Sequence, residues 1–141
     1  NRCALLQLST MTIRLNILVS ILLFTSIAKA QYRPKDIAMV GGQKSGEMVL
    51  EAFRVQQGVG GYHYISGNHW ESSTVDSFRI AIFRDSSLLF SYQNKSNKWD
   101  SLVVLRFRNL KVGDRILLYD IWATWPGIPQ LFLQPLEYIM R

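Results

Sequence analysis

The stretch KVGDRILLYDIWA, residues 111–123, joins a turn signal directly to a strand signal. Gly113 can take a positive φ and Asp114 can bond its own backbone two residues on, so residues 112–114 predict a turn. In the strand that follows, one face is expected to carry Ile116, Leu118 and Trp122, and the other Leu117, Tyr119, Ile121 and Ala123. Because both faces are apolar, the stretch predicts a central strand.

Further strand signals lie on both sides of this stretch. The strongest covers residues 75–84, where Phe78, Ile80 and Ile82 alternate with other side chains before a turn at 85–87. Shorter strands are predicted at 37–40, 62–65 and 88–93, with a last one at 131–140 that Pro135 interrupts. Many short strands with glycine-rich turns predict an all-β fold of the β-sandwich type.

Three segments between these strands carry their own expectations. Residues 66–73 are predicted to form a loop, and the two prolines within 125–129 are expected to end strand pairing. Residues 100–109 are ambiguous, because Val103, Leu105 and Phe107 alternate as in a strand while Asp100 could cap a helix. Strand propensity is favoured there, and a short helix stays open.

The N-terminal residues resemble an export signal. Residues 11–30 combine Arg14, an apolar run of about 13 residues and a small-x-small cleavage site ending at Ala30. That run is shorter than the roughly 20 residues of a membrane-spanning helix. Residues 1–10 precede the methionine expected of a signal peptide and are interpreted as a leader upstream of the true start. The prediction is therefore one domain, 31–141, without a membrane span and exported to the periplasm or cell surface.

Composition narrows the function of residues 31–141. They contain no cysteine, so neither a disulfide framework nor thiol chemistry is expected. Thirteen basic and ten acidic residues are spread without a run, which argues against a nucleic-acid-binding surface. His63, His69 and Glu71 do not make a metal-ligand set, and no paired carboxylates or Gly-x-Ser-x-Gly pattern occur. No catalytic, cofactor or metal site is predicted, and the chain is not expected to be an enzyme.

Several short motifs, taken in order, resemble the C-terminal periplasmic domain of the GldM (PorM) family of gliding-motility and type IX secretion proteins. The resemblance spans nearly all of 31–141 and is carried by VGGQKSG at 40–46, QGV at 57–59, FRI at 78–80, LKVGDRI at 110–116, YDI at 119–121 and PLEYIM at 135–140. It implies an immunoglobulin-like β-sandwich from a Bacteroidetes-type organism that makes protein contacts and performs no catalysis. It also implies a short helix at 100–109. The Gly-Pro-Asp-Gly turn of the family is replaced here by Trp125-Pro126-Gly127-Ile128.

The candidate binding residues are large apolar groups, since aromatic residues are enriched at interface hot spots. The predicted partner-binding set is Trp122, Trp125, Pro126 and Ile128, extended by Trp70 and Trp99. The expected partner is another cell-envelope protein, including type IX secretion ring or motor components. Two alternatives stay open: Trp122 is core and Trp125 covers the end of the sandwich, or the tryptophans bind carbohydrate or peptidoglycan. A sugar site would hold coplanar rings flanked by Asp, Asn or Gln.

Overall fold

Nine β-strands and two short helices make up the part of the chain that the computed structural model describes, residues 31–32 and 35–141. In chain order these are β1 (Gln31–Tyr32), β2 (Ile37–Met39), β3 (Gly46–Met48), α1 (Leu50–Arg54), β4 (Gly60–Ser66), β5 (His69–Arg84), β6 (Ser87–Asn94), α2 (Ser101–Phe107), β7 (Arg115–Trp125), β8 (Ile128–Leu133) and β9 (Leu136–Met140). The all-β prediction is confirmed. The predicted leader at 1–10 and signal peptide at 11–30 lie outside the described residues.

Strand β7 is central, as predicted. It pairs with β5 along one edge, and along the other it pairs with β9 in its first half and β8 in its second. The sheet order is β1-β8-β7-β5-β4-β2, with β6 paired to β5 and β3 paired to β9. The predicted turn before β7 is also present, with Gly113 at φ +90° and the amide of Asp114 donating to the Lys111 carbonyl at 3.1 Å.

A β-bulge changes which face of β7 is buried. Ser77 pairs with Trp122 and Arg79 with Tyr119, so two residues of β7 lie opposite one residue of β5. Asp120, at φ +49°, lies in this bulge. The buried residues are therefore Ile116 and Leu118 before the bulge and Ile121 and Ala123 after it. The predicted face assignment is wrong beyond Tyr119, because a bulge reverses a strict alternation.

The sheet curls until strands that are not neighbours come into contact. Strands β4 and β8 are separated by β5 and β7 in the sheet order. Nevertheless, a Cβ added to Gly61 of β4 would lie only 3.2 Å from the Cδ1 atom of Leu133 of β8, and 2.5 Å from the Oγ atom of Ser73. The fold is thus an all-β, sandwich-like curled sheet, and Gly61 permits the close approach of its two layers.

The two helices close the core on the inner side of the sheet. Phe53 of α1 packs against Phe107 of α2, with ring centroids 5.0 Å apart, and against Tyr138 of β9 at 5.7 Å. The Asp100 side chain caps α2 by accepting a hydrogen bond from the Leu102 amide at 2.9 Å. Val103 and Phe107, four residues apart, are both buried. Strand propensity at 100–109 was therefore misleading, and the short helix is what forms.

Two predicted interruptions are wrong. The predicted loop at 66–73 is a tight turn at Gly67 and Asn68, and β5 begins already at His69. Pairing also continues past Trp125, which is the register partner of Ile128 across a turn in which Gly127 has φ +82°. The prolines at 126 and 129 fall in and next to this turn, so they do not end the sheet.

No helix in residues 31–32 and 35–141 is both long and apolar enough to cross a membrane.

Candidate functional site

The predicted partner-binding residues do not form one surface. Trp125 and Ile128 are half-buried and pack against the core, whereas Pro126 is exposed in the turn between them. Trp122 is half-buried, and Trp70 is exposed on the hairpin of β4 and β5.

Trp99 belongs to the hydrophobic core, so its predicted role at a binding surface is wrong. Only 9% of the residue is exposed, and its ring packs edge-to-face on Phe78 at 5.5 Å and on Phe107 at 5.2 Å. Its indole N–H donates to the carbonyl of Gln56 at 2.9 Å. The preceding loop is closed by the Asn94 side chain, which donates to two loop carbonyls and accepts from the Asp100 amide. The loop held by Asn94 leads directly into Trp99, whose side chain is buried in the core.

Trp122 and Trp125 lie on opposite faces of β7, because residues an odd number apart in a regular strand point in opposite directions. Trp125 shares the core face with Ile121 and Ala123, and its ring centroid lies 4.6 Å from that of His63. This placement agrees with the alternative that Trp125 covers one end of the sandwich.

His63 and Asp36 form a buried pair beneath Trp125. His63 Nδ1 lies 3.0 Å from Asp36 Oδ1, and the same oxygen accepts the Tyr64 amide at 2.9 Å. Among the described residues, Asp36 Oδ2 and the Ser73 hydroxyl are buried without a hydrogen-bond partner. No local sequence pattern predicts this pair, since its members are 27 residues apart. In the described part of the chain, no group of three or more His, Cys, Asp or Glu residues is placed to hold a metal ion.

The face of the sheet that points away from the core carries a row of apolar side chains, here called the outer face. At one end of this row, the rings of Trp122 and Phe132 form an edge-to-face pair, 5.1 Å apart at 62°. The row continues along β7, and register pairing places Phe83 of β5 and Ile139 of β9 on either side of Arg115 at its other end. The outer face consists of Phe83, Leu117, Tyr119, Trp122, Phe132 and Ile139. All six are half-buried or exposed.

Charged side chains lie among the apolar ones of the outer face, as direct register neighbours. Arg79 lies 3.6 Å from Asp120, and Arg115 lies 3.3 Å from Glu137. The Arg115 guanidinium is also 4.8 Å from the centroid of the Phe83 ring. A surface that combines exposed aromatic rings with charged groups has the composition of a protein-binding patch. The sequence signal for the outer face was that both faces of β7 are apolar. Of its six residues, only Trp122 was predicted to bind a partner.

Trp70 lies in a second, separate aromatic pair. Its ring packs edge-to-face on Tyr64 at 5.6 Å, and its indole N–H donates to the Lys35 carbonyl at 3.2 Å. Lysines cover both rings, with Lys35 Nζ 4.2 Å from the Tyr64 centroid and Lys44 Nζ 5.8 Å from that of Trp70. Trp70 lies seven positions along β5 from Ser77, the register partner of Trp122, a distance of roughly 20 Å along the strand. Trp70 therefore does not extend the outer face.

These features define an all-β, sandwich-like domain with an apolar patch on its outer face and no assembled metal-ligand group in the described residues. Compared with known proteins, the chain matches no protein-family model and no curated protein.

Proposed function

We propose that residues 31–141 form a non-catalytic, exported binding module that contacts another cell-envelope protein through the outer face. The observation that carries this proposal is the Trp122–Phe132 pair, which stands half-buried at one end of an apolar row. Binding energy at protein interfaces is concentrated in a few residues, among which tryptophan is enriched. Trp122 is the residue of this row expected to contribute most.

The ion pairs of the outer face support a protein partner. The pairs Arg79–Asp120 and Arg115–Glu137 are about half-exposed. Such pairs contribute little to stability, but they orient a partner that presents complementary charges. On binding, the apolar rings would be dehydrated, while these charges would meet charges of the partner.

The envelope location and the partner class follow from the sequence resemblance to the GldM (PorM) terminal domain. On this proposal the protein serves the type IX secretion or gliding machinery, and its partner is a ring or motor component. The short helix α2 before the Lys111–Asp114 turn is compatible with that resemblance.

A carbohydrate- or peptidoglycan-binding module is the second candidate, favoured by one specific pair of rings. Phe90 and Tyr92 of β6 are stacked at 11° with centroids 6.1 Å apart, and burial, together with the nearby Asp100 carboxylate, raises the pKa of Tyr92. However, the Arg106 guanidinium already lies 5.3 Å from the Phe90 ring. The tryptophan pairs of the outer face and the β4–β5 hairpin are tilted by 62° and 67°, so neither offers a flat platform for a sugar.

The test is a pull-down with residues 31–141 as bait against periplasmic and outer-membrane extract, with captured proteins quantified by mass spectrometry. Trp122→Ala is expected to lose the envelope proteins that the unmodified bait captures. Trp70→Ala is the matched control, because it also removes one tryptophan of an edge-to-face pair, and it should capture them unchanged.

The pull-down and a separate peptidoglycan-binding assay distinguish the two candidates. Loss of capture by both tryptophan variants, or by neither, would contradict the outer-face proposal. Pelleting of the protein with purified peptidoglycan, abolished by Tyr92→Ala and unaffected by Trp122→Ala, would favour the carbohydrate function instead.

A further inference from the structure

Strand β6 presents the longest edge of the sheet that is unpaired along its whole length in the described part of the chain. Its eight residues pair with β5 on one side, and no other described strand pairs with it. The other strands with a single partner, β1, β2 and β3, are only two or three residues long. The free edge of β6 therefore offers a row of backbone N–H and C=O groups to an incoming strand.

This edge lacks most of the usual protection against unwanted pairing. Natural edge strands carry charged residues or prolines, or they are very short. The sequence of β6, SLLFSYQN, has no charge and no proline, although a bulge interrupts its register near Leu89. Leu88 and Leu89 are 57% and 50% exposed. An edge of this kind is either a site of aggregation or a site where a partner strand binds.

Helix α2 supplies a basic and apolar wall beside the edge. The Arg106 guanidinium lies 5.3 Å from the centroid of the Phe90 ring, and Arg106 and Leu89 line a common cavity of about 100 Å³. Leu102 and Leu105, on the same exposed stripe of α2 as Arg106, are 53% and 52% exposed. No carboxylate of the described residues pairs with Arg106, which leaves its charge available to a ligand.

We propose that the β6 edge binds an extended segment of a partner protein, which adds to the sheet as a further strand. Its main chain would hydrogen-bond to β6, an apolar side chain would pack on Leu89, and an aspartate or glutamate would pair with Arg106. Strand addition obtains affinity from main-chain hydrogen bonds and specificity from the side chains at alternate positions. This inference rests on the proposed function, because it names the chemistry of one partner of the same binding module.

Charge selects an acidic partner over a second copy of the chain. In a symmetric pairing of two β6 edges, the twofold axis would bring both α2 helices to the same side of the joined sheet. The two Arg106 side chains, and Arg108 beside each, would then approach one another without a compensating carboxylate. Like charges across an interface disfavour that arrangement.

The test uses two labelled ten-residue peptides, one alternating valine with threonine and glutamate, the other with lysine in place of glutamate. Binding to the purified protein is followed by fluorescence anisotropy, and hydrogen exchange locates the protected amides. The acidic peptide is expected to protect residues 87–94 and to bind at least about tenfold tighter than the basic one, as expected for a charged hydrogen bond. Arg106→Glu should reverse this preference, whereas Lys44→Glu, the same charge change in the turn between β2 and β3, should not.

Equal binding of both peptides, or protection outside residues 87–94, would overturn the proposal. So would a concentration-dependent dimer that protects β6 without peptide, since the occupant would then be a second copy. If Trp122→Ala abolishes the capture of envelope proteins and Arg106→Glu does not, the proposed function stands and only the β6 inference fails. If the acidic peptide binds β6 but no envelope protein is captured, the proposed function fails and the β6 site stands.

Discussion

Arg84 donates two hydrogen bonds to Asp114, from Nε at 2.7 Å and from Nη2 at 2.8 Å, and thereby ties the end of β5 to the turn before β7. The Asp114 carboxylate is buried and also accepts the Lys111 amide at 2.8 Å. Burial alone would raise the pKa of Asp114, but the hydrogen bonds from Arg84 and Lys111 outweigh it, and the pKa lies below its ordinary value.

Low pH should therefore weaken the interaction between Arg84 and Asp114. Because the folded-state pKa of Asp114 is depressed, its contribution to stability is present above the unfolded pKa, about 3.9, and is lost as the pH falls through the folded pKa. We expect Asp114→Asn to lower the free energy of unfolding at pH 7 by about 1–3 kcal/mol and to flatten its acid dependence. Urea denaturation between pH 2 and about 7 measures both.

Asp120→Asn is the matched control, because the Asp120 side chain is about half-exposed and lies 3.6 Å from Arg79 in a surface ion pair. It should change the free energy of unfolding by less than about 1 kcal/mol. An equal loss in both variants would contradict a special role for the buried carboxylate.

The Tyr138 hydroxyl fastens β9 to the turn after β2. It donates to the Gln43 carbonyl at 2.6 Å and accepts the Val40 amide at 3.2 Å. Burial raises the pKa of Tyr138 to about 12, against a small lowering by the Val40 amide. Since the folded-state pKa is raised, the stabilisation is complete below the unfolded pKa of 10.0 and is lost as the pH rises toward about 12.

Tyr138→Phe should remove that alkaline loss. It should also cost about 1–3 kcal/mol at neutral pH, because the Val40 amide and Gln43 carbonyl lose a buried partner. Denaturation curves from neutral pH up to about 12 test this, with Tyr62→Phe as a half-buried control. If Tyr138→Phe keeps the wild-type alkaline profile, another group is responsible for it.

The β5–β6 turn stores backbone strain that glycine would relieve. Asp85 and Ser86 have φ values of +48° and +66°, between the paired residues Arg84 and Ser87. Two positive φ values define a type I′ turn, in which an Asp-Gly sequence is preferred. We expect Ser86→Gly to raise the free energy of unfolding by about 0.5–1 kcal/mol, measured by urea denaturation. Ser87→Gly, one position later in β6, should instead destabilise the protein.

Trp122 and Trp125, both on β7, should contribute differently to the free energy of unfolding. Trp125→Ala removes the ring that packs on His63 and the core, so the loss of stability should be about 2–4 kcal/mol, less than the loss for a fully buried ring. Trp122→Ala removes only an edge-to-face pair on the outer face and should cost about 1 kcal/mol. Thermal and urea unfolding compare the two. Equal losses would mean that the two faces of β7 are packed alike.

Local sequence signals predicted the features that depend on local chemistry. Gly113 and Asp114 predicted the turn before β7, and the alternation at Phe78, Ile80 and Ile82 predicted the buried face of β5. These signals succeed because turn chemistry and strand periodicity act within a few residues.

Features that depend on distant residues were missed or left open by the local pattern, although the resemblance implied the short helix at 100–109. The bulge at Asp120 is set by pairing with β5, and α2 forms because Val103 and Phe107 fill the core together with Phe53. Propensity alone favoured a strand there, and tertiary packing overrode it. Trp99 was misplaced for the same reason: whether a tryptophan at the end of a loop is buried depends on packing partners far away in the sequence.

The most direct test of the central claim is photo-crosslinking from position 122 in the cells that produce the protein. Benzoylphenylalanine replaces Trp122 in one variant and Trp70 in the matched control, and the crosslinked proteins are identified by mass spectrometry. The binding-module account predicts a discrete adduct with another envelope protein from position 122 and not from position 70. No adduct from position 122, or the same adducts from both positions, would contradict it.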